Sequence, residues 1–299
     1  MHKPVLLNEM LEYLAPQDGK TYIDTTFGAG GYTKAILHSA NCTVIAFDRD
    51  PTTQPTAQNF QEEFGHRFKF INDKFSNIEK HIQEADGIVG DFGISSMQVD
   101  NGDRGFSFQK EAKLNMQMGL CETSAFDVVN NFSEKELANL IFSNSNETLA
   151  RKIATMIFHA RKKAPIETTL QLAQIIFEAY GKPHRYKIHP ATKTFQAIRA
   201  FVNDEFTEIK TLMNAFPKIL KPQGRFVCVT FHEIEDRIAK ESFLNLCQKK
   251  EKVNKYKMNP MSSEQFTILT KKPIAPSDDE VRGNVRSRSA KLRAIIKNY

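Results

Sequence analysis

Short apolar runs closed by polar or glycine-rich turns alternate, over the first hundred residues, with stretches whose apolar positions recur at helical spacing. Residues 21–24 lead into Thr25-Thr26-Phe27-Gly28-Ala29-Gly30-Gly31. Residues 43–47 end at Asp48-Arg49-Asp50-Pro51, residues 68–71 at Asn72-Asp73-Lys74-Phe75, and residues 87–90 at Asp91-Phe92-Gly93. Compact runs rich in β-branched and aromatic residues, bounded by turn residues, read as buried strands. Helical periodicity between them predicts helices over 33–38, 53–64 and 76–84. Strands that alternate with helices imply a parallel sheet wound right-handed.

The pattern breaks near residue 101. From there to about 195 the spacing predicts helices and no strand. Ser133 followed by Glu136 forms a capping-box signature ahead of Leu137, Leu140 and Ile141. Helices are predicted over 150–160 and 169–180, the second stopped by Gly181 and Pro183. A helix over 194–216 then restores the alternation. Lys221-Pro222-Gln223-Gly224 turns into a strand over 225–231, and a late strand over 265–270 closes the sheet. The economical reading is one α/β domain, residues 1–100 and 196–299, interrupted by an all-helical domain over 101–195.

Composition narrows the class. The chain has 299 residues and a mass of 34.1 kDa, the upper range of a single core, which suits one large domain with an insertion. At 40% hydrophobic and 25% charged residues it is not a disordered chain. No apolar run approaches the ~18 residues that cross a bilayer, so no membrane partner is expected. The first ten residues carry His2, Lys3, Asn8 and Glu9 and do not resemble a secretory signal. Cys42, Cys121, Cys228 and Cys247 are scattered without a C-x-x-C pair, which argues against a zinc cage or disulfide scaffold and for a reducing cytoplasm. No metal-ligand set stands at a recognisable spacing.

Charge adds a partner. Residues 151–200 carry ten Lys or Arg against Glu167 and Glu178, and residues 271–299 carry eight against Asp278, Asp279 and Glu280, on a chain of net charge +6. Two basic segments on an otherwise acidic chain point to a polyanion, because clustered cations gain by releasing its condensed counterions. A merely solvated Lys-rich surface is the plainer alternative.

Candidate chemistry gathers at the strand ends, where doubly wound sheets bind ligands. The loop after the first strand reads Asp24-x-x-x-Gly28-x-Gly30, with Gly31 next and Thr33 where a dinucleotide fingerprint needs its last glycine. An acidic residue ahead of the glycines suits a cationic amine better than a pyrophosphate. Asp48 ends the second strand, where a carboxylate accepts ribose hydroxyls. Asp73 with Phe75, and Asp91, follow the third and fourth strands. In chain order these resemble the S-adenosylmethionine pocket of Rossmann-like methyltransferases. Singly, each has a plainer role: a tight turn at the glycines, a helix-start cap at Asp48 and core packing at Phe75.

Longer strings go further. They are His2-Lys3-Pro4-Val5-Leu6-Leu7, Asp91-Phe92-Gly93-Ile94-Ser95-Ser96-Met97-Gln98-Val99-Asp100, Arg104-Gly105-Phe106-Ser107-Phe108, His189-Pro190-Ala191-Thr192-Lys193-Thr194-Phe195-Gln196-Ala197-Ile198-Arg199, Val202-Asn203-Asp204-Glu205, Phe231-His232-Glu233-Ile234-Glu235-Asp236-Arg237 and Arg286-Ser287-Arg288-Ser289-Ala290-Lys291-Leu292-Arg293. Together they resemble the bacterial ribosomal RNA small-subunit methyltransferase H family, also called MraW, from residue 2 to residue 293. The resemblance implies a Rossmann-like class I methyltransferase sheet with an inserted helical domain for RNA recognition. It implies methyl transfer from S-adenosyl-L-methionine to the 4-amino group of a cytidine in the decoding region of 16S rRNA. The small ribosomal subunit is the implied partner, the cytoplasm the location, and a homodimer follows by family analogy alone. The cofactor contacts it implies are Gly30, Gly31, Tyr32, Asp48, Phe75, Asp91 and Gln98, beside Asp24 and Gly28 from the loop itself.

An exocyclic cytosine amine is a weak nucleophile that must be held in line with the methyl group and given hydrogen-bond acceptors. Asp91 is the first choice of acceptor, with Ser95, Ser96 and Asn115 behind it. His232, at the end of the late strand, is placed to contact the base or take a proton; a histidine satisfied by the backbone is the alternative. The expected RNA grip is Arg151, Lys152, Arg161, Lys162, Lys163, Lys182, Arg185 and Lys187, with the tail from Arg286 to Arg293. The chain departs from the family at Tyr32, where His is usual, and at Glu233, where Ser is usual. It departs again at Ser143-Asn144-Ser145-Asn146-Glu147, and at Asn115 and Gln117, where an acid and an arginine are usual and which therefore read as an amide pair in place of an ion pair. Those departures keep a non-catalytic RNA-binding relative as the rival reading. The missing glycine and the helical insertion argue against a nicotinamide-dependent oxidoreductase.

Overall fold

The computed structural model describes residues 4–94, 102–119, 121–181, 189–247 and 265–299. The chain folds into two compact units: Met1–Gly93 with Thr207–Tyr299, and Ile94–Phe206. Among the described residues no helix is long and apolar enough to cross a membrane.

The first unit is built on a seven-stranded sheet in the order β3-β2-β1-β4-β5-β7-β6. Its strands are β1 (Thr21–Asp24), β2 (Thr43–Phe47), β3 (Phe68–Ile71), β4 (Ala85–Asp91), β5 (Leu220–Thr230), β6 (Phe266–Ile268) and β7 (Lys291–Lys297). The first five run parallel; β7 lies antiparallel to β5, and β6 antiparallel to β7. This is the Rossmann-like class I sheet. Successive strand residues point to opposite faces, and both faces are apolar, as a sheet covered by helices on each side requires. Tyr22, Val44, Val89, Val227, Val229, Leu292 and Ala294 share one core with α1 (Leu7–Leu14), α2 (Gly31–Ser39) and α3 (Gln54–Phe64). Ile23, Phe47, Ile88, Phe226, Cys228 and Ile295 share the other with α4 (Ile78–His81), α10 (Glu205–Ile219) and α11 (Glu233–Cys247). Burial among these side chains drives the Cys228 thiol up to about 12, so it packs as a small hydrophobe.

The second unit is helical: α5 (Ala125–Asn131), α6 (Glu134–Ser145), α7 (Ala150–Arg161), α8 (Thr169–Tyr180) and α9 (Ala191–Val202). Capping boxes open α5 at Ser124 and Asp127, α6 at Ser133 and Glu136, and α8 at Thr168 and Gln171. The expected boundaries at 101 and 195 differ from those observed. Ala191, Phe195, Ala197, Ile198 and Val202 of α9 are buried in the helical core, so that helix belongs to this unit and not to the sheet. The helix expected over 194–216 is accordingly two helices. The break falls at Asn203-Asp204, where Asp204 has φ 51°. Asn203 is fully buried, donates to the carbonyls of Met116 (2.8 Å) and Arg199 (2.9 Å), and accepts from the Met118 amide (2.8 Å). Its amide is thus committed to pinning the 116–118 segment.

The late strand expected over 265–270 is β6, at the sheet edge. A further strand, β7, occupies what the sequence offers as a basic tail. A last helix, α12 (Asp278–Gly283), precedes it, capped by Ser277. The strand expected at 225–231 begins earlier, at Leu220. The Lys221-Pro222-Gln223-Gly224 turn is a bulge within it, where Gln223 takes φ 64° and the register with β4 shifts between Ala85 and Gly87.

Candidate functional site

Parallel register sets the site. Asp24 ends β1 and lies level with Ala46 of β2 and Val89 of β4. Asp48 and Asp91 therefore sit beyond it on the strands to either side, and Asp91 is level with Val229 of β5. Strand order reverses between β1 and β4, the place where such sheets receive ligands.

Asp24 is fully buried. It accepts the Thr33 hydroxyl at 2.7 Å and the Thr26 amide at 3.1 Å. Burial outweighs these bonds and pushes its carboxyl up to about 6. Asp24 thus ties the loop down from beneath, and Thr33, at the position of the absent glycine, is the residue that holds it. The loop turns through Gly28 (φ 51°) and Gly30 (φ 78°), and the Gly28 amide donates to Asp48 Oδ2 at 2.8 Å. A Cβ at Gly30 would stand 2.3 Å from Phe60 Cζ, and one at Gly31 2.3 Å from Pro4 Cγ. Packing, besides any ligand, keeps both positions glycine.

Asp48 is half-buried. It accepts the Gly28 and Asp50 amides, both at 2.8 Å, and burial raises its carboxyl to about 6. Helix-start capping falls to Asp50, which accepts the Thr52 amide at 3.1 Å. The Asp91 amide donates to the Thr26 hydroxyl oxygen at 2.7 Å, while its Oδ1 is shut from solvent with no hydrogen-bond partner among the described residues. Burial, with the charges of Asp24 and Glu235 adding, pushes its carboxyl to about 8. An acceptor left in that condition costs free energy that a bound donor or cation would recover.

Other expected residues are placed differently. The Tyr32 side chain is buried and its hydroxyl donates to the Val5 carbonyl; burial drives that hydroxyl well above its ordinary range. Only its main chain remains for the loop. Phe75 is partly buried, its ring 5.8 Å from that of Phe92. Asp73 is committed to its own turn, accepting from Lys74 N (2.7 Å) and Asn77 (2.9 Å) and pairing with His81 (2.9 Å). Its burial raises the carboxyl, but those bonds outweigh it and hold it below the ordinary value. Gln98, Ser95 and Ser96 lie outside the described residues.

His232 is half-buried after β5. Its Nδ1 accepts the Ile234 amide at 3.2 Å, which puts the proton of the neutral ring on Nε2. Glu235 Oε2 accepts the amides of both Phe231 and His232 at 2.9 Å, so this buried carboxylate fixes the turn that carries the histidine. The sequence reading missed Glu235. The signal was there in His232-x-x-Glu235, a capping box with histidine in the cap. Next to it, Asp236 holds Arg293 in a fork (2.6 and 3.2 Å) and Lys291 at 3.1 Å.

In the helical unit Asn115 is exposed. Its Oδ1 accepts the Gln117 amide at 2.8 Å, while the Gln117 side chain donates to the Cys121 carbonyl at 3.1 Å. The two side chains are not an amide pair; each serves its own turn. The expected RNA grip is corrected in three residues. Arg161 donates to the carbonyls of Val129 (2.6 Å) and Phe132, ending α5. Arg293 is 8% exposed, and with Lys291 it belongs to β7 and the Asp236 cluster. Arg151, Lys152, Lys162, Lys163, Arg286 and Arg288 are exposed, and Lys182, Arg185 and Lys187 lie outside the described residues.

Comparison with known proteins gives a consistent answer over nearly the full length. The family model described as the MraW methylase family matches residues 1–298. Relatives named ribosomal RNA small subunit methyltransferase H include one from Orientia tsutsugamushi (strain Ikeda), 47% identical over 306 residues, covering 99% of this chain and 98% of its own. One from Rickettsia canadensis is 48% identical over 303 residues, covering 100% and 98%. One from Ehrlichia canis is 45% identical over 303 residues, covering 99% and 100%. A solved rRNA methylase from Streptococcus thermophilus is 12% identical, with a TM-score of 0.44, covering 100% and 99%.

Proposed function

The chain belongs to the MraW methylase family and is an S-adenosylmethionine-dependent methyltransferase of small-subunit ribosomal RNA, and we propose that its acceptor is the 4-amino group of a cytidine in the decoding region of 16S rRNA. The observation that carries the reading is the row of carboxylates at the strand ends beside the glycine loop, with Asp91 Oδ1 buried and, among the described residues, unpartnered. Such a set fits a ligand that brings positive charge and hydroxyl donors. S-adenosylmethionine, when bound, supplies an activated methyl group on a sulfonium.

The residues that would hold it are the Gly28, Gly30, Gly31 and Tyr32 main chain, Asp48, Phe75 and Asp91, with Gln98. Asp24 supports from below. Asp48, with both oxygens already fixed by amides, keeps lone pairs for hydroxyl donors. Asp91 is the acceptor for the cytosine amino group: the positive charge of a bound sulfonium would favour its ionised form, and a carboxylate so raised by burial is then basic enough to take the proton that methylation makes acidic. His232, fixed at the strand end with its Nδ1 accepting the Ile234 amide, would be the residue that contacts the base there. Asn115, the remaining catalytic candidate, is an exposed residue of the helical unit, and its part in the reaction is an expectation from the family resemblance. Work on ribosomal RNA implies the cytoplasm, and the homodimer expected by analogy is tested by sedimentation velocity.

The deciding experiment is mass spectrometry of nucleosides from 16S rRNA of a strain lacking the activity, treated with protein and labelled cofactor. One methyl group on the exocyclic nitrogen of a single cytidine is expected. Label on a ring carbon, on ribose, or on another base sinks the reading.

A further inference from the structure

The first turn of helix α7 carries cations of its own, although the Glu147 carboxylate just ahead of it accepts the Leu149 amide at 3.0 Å. It opens at Leu149 with no side-chain cap, and its first turn holds no acidic residue, whereas α5, α6 and α8 all open with capping boxes. Arg151 and Lys152 stand instead at that end, where the helix dipole disfavours cations. From Ala150 to Lys163 the sequence has no Asp or Glu at all. Ile153, Ala154 and Ile157 are buried on one side. At 100° per residue, Arg151, Lys152, Thr155, His159, Lys162 and Lys163 fall together on the opposite side, and all but half-buried Thr155 are exposed.

The four Lys and Arg of this stripe lack the ion-pair partners found elsewhere, and the Glu134 carboxylate that meets the stripe is engaged by the Thr155 hydroxyl. Lys20, Lys34, Lys74, Lys218, Lys221, Arg199 and Arg282 each lie within ion-pair distance of a carboxylate. Among the described residues no ion pair joins Arg151, Lys152, Lys162 or Lys163 to an acid. Lys162 Nζ sits 4.4 Å above the Phe158 ring, which steadies it without neutralising it. Lys162 keeps helical backbone angles and the Lys163 amide donates to the Ala160 carbonyl at 3.0 Å, so the stripe runs on past the last turn. From Arg151 to Lys163 it spans about 18 Å. Like charges at helical spacing repel, and solvation alone needs no such alignment.

We propose that this face of α7 is a track for the phosphate backbone of folded RNA, with Arg161 excluded from it because its guanidinium is spent on main-chain carbonyls. The inference rests on ribosomal RNA being the substrate and names the surface that grips it. Single-sign charge in a line fits a polyanionic strand, and affinity then depends on counterion release.

The test measures affinity of the full chain for 16S rRNA against salt. Replacing Arg151, Lys152, Lys162 and Lys163 by Gln is expected to reduce the log–log slope by about 3, at roughly 0.7–0.9 per cation. S-adenosylmethionine affinity is expected to stay unchanged, and melting to occur no lower than in the parent, since repulsion is relieved. A control that replaces Lys20, Lys34, Lys218 and Lys221 by Gln removes equal charge and is expected to leave the slope alone. Exchanging Arg for Lys and Lys for Arg within the stripe should also preserve it. An unchanged slope in the stripe variant, an equal fall in the control, or a fall in the charge-preserving variant overturns the proposal. So does an unchanged rRNA slope with lost binding to phosphatidylserine vesicles, which would make the stripe a membrane contact. Steep, stripe-dependent rRNA binding without methyl transfer would instead sink the proposed function and leave the track standing.

Discussion

Asp91 carries an oxygen closed off from water and without a hydrogen-bond partner among the described residues, with its carboxyl raised from 3.8 to about 8 by burial. The linkage has a definite sign. Between those values the folded chain keeps a proton that the unfolded chain has lost, so stability falls as pH rises across that window. Asp91→Asn removes the penalty. The variant should melt above the parent at pH 8, the gap narrowing towards pH 4, and ~1 kcal/mol moves Tm by about 2–4 °C in a chain of this size. Its S-adenosylmethionine affinity, by calorimetry, should fall. A residue kept for folding would show the reverse pairing. Arg161 makes the opposite case. Arg161→Gln strands the Val129 and Phe132 carbonyls and should cost about 1–3 kcal/mol in denaturant unfolding, with no change in the salt slope of rRNA binding.

At the scale of elements, the Asp236 cluster joins the start of α11 to β7 across 57 residues of sequence. Arg293 there is nearly buried, and removing its partner leaves a charge uncompensated. Asp236→Ala should cost about 3–5 kcal/mol. Burial alone would raise the Asp236 carboxyl, but Arg293 and Lys291 overcome that and hold it below 3.8. Its stabilising share is therefore present above that value and lost as pH falls through the lowered one. Acid unfolding curves of parent and variant should begin to converge only as pH falls below 3.8, and parallel curves would contradict the assignment. The same cluster shows why one element was illegible. Lys291-Leu292-Arg293 reads as a basic tail until Asp236 is seen to neutralise it, and no local pattern announces a partner so far away. The parallel strands were legible because apolar runs ending in Asp or Gly are local signals. The split of α9 from α10 was not, because it turns on Asn203 finding the Met116 and Met118 main chain.

For the whole molecule, alternation of strand and helix located the strand-end carboxylates Asp48 and Asp91 without coordinates, since a parallel sheet brings its carboxyl ends together. It could not distinguish the residues that face a ligand from those that brace the loop. Asp24, bonded to Thr33, and Tyr32, bonded to Val5, are bracing side chains. The insertion was legible as a run of helices, but its limits were not, because α9 carries the same periodicity whichever core it joins. The sheet makes a further prediction. Deleting residues 291–299 removes the strand between β5 and β6 and should abolish cooperative thermal unfolding altogether. Were those residues a dispensable nucleic-acid arm, the truncated chain would melt like the parent and lose only salt-dependent binding.

The position of β7 also bears on when the protein becomes an enzyme. Its seven residues are synthesised after the other six strands of the sheet, yet they must enter the sheet interior between two of them. Pairings so distant in sequence form late and slowly. A nascent chain therefore waits, its sheet open along β5, until β7 has emerged; whatever the earlier strands have already built, the central wall of the catalyst is closed by a piece delivered after them.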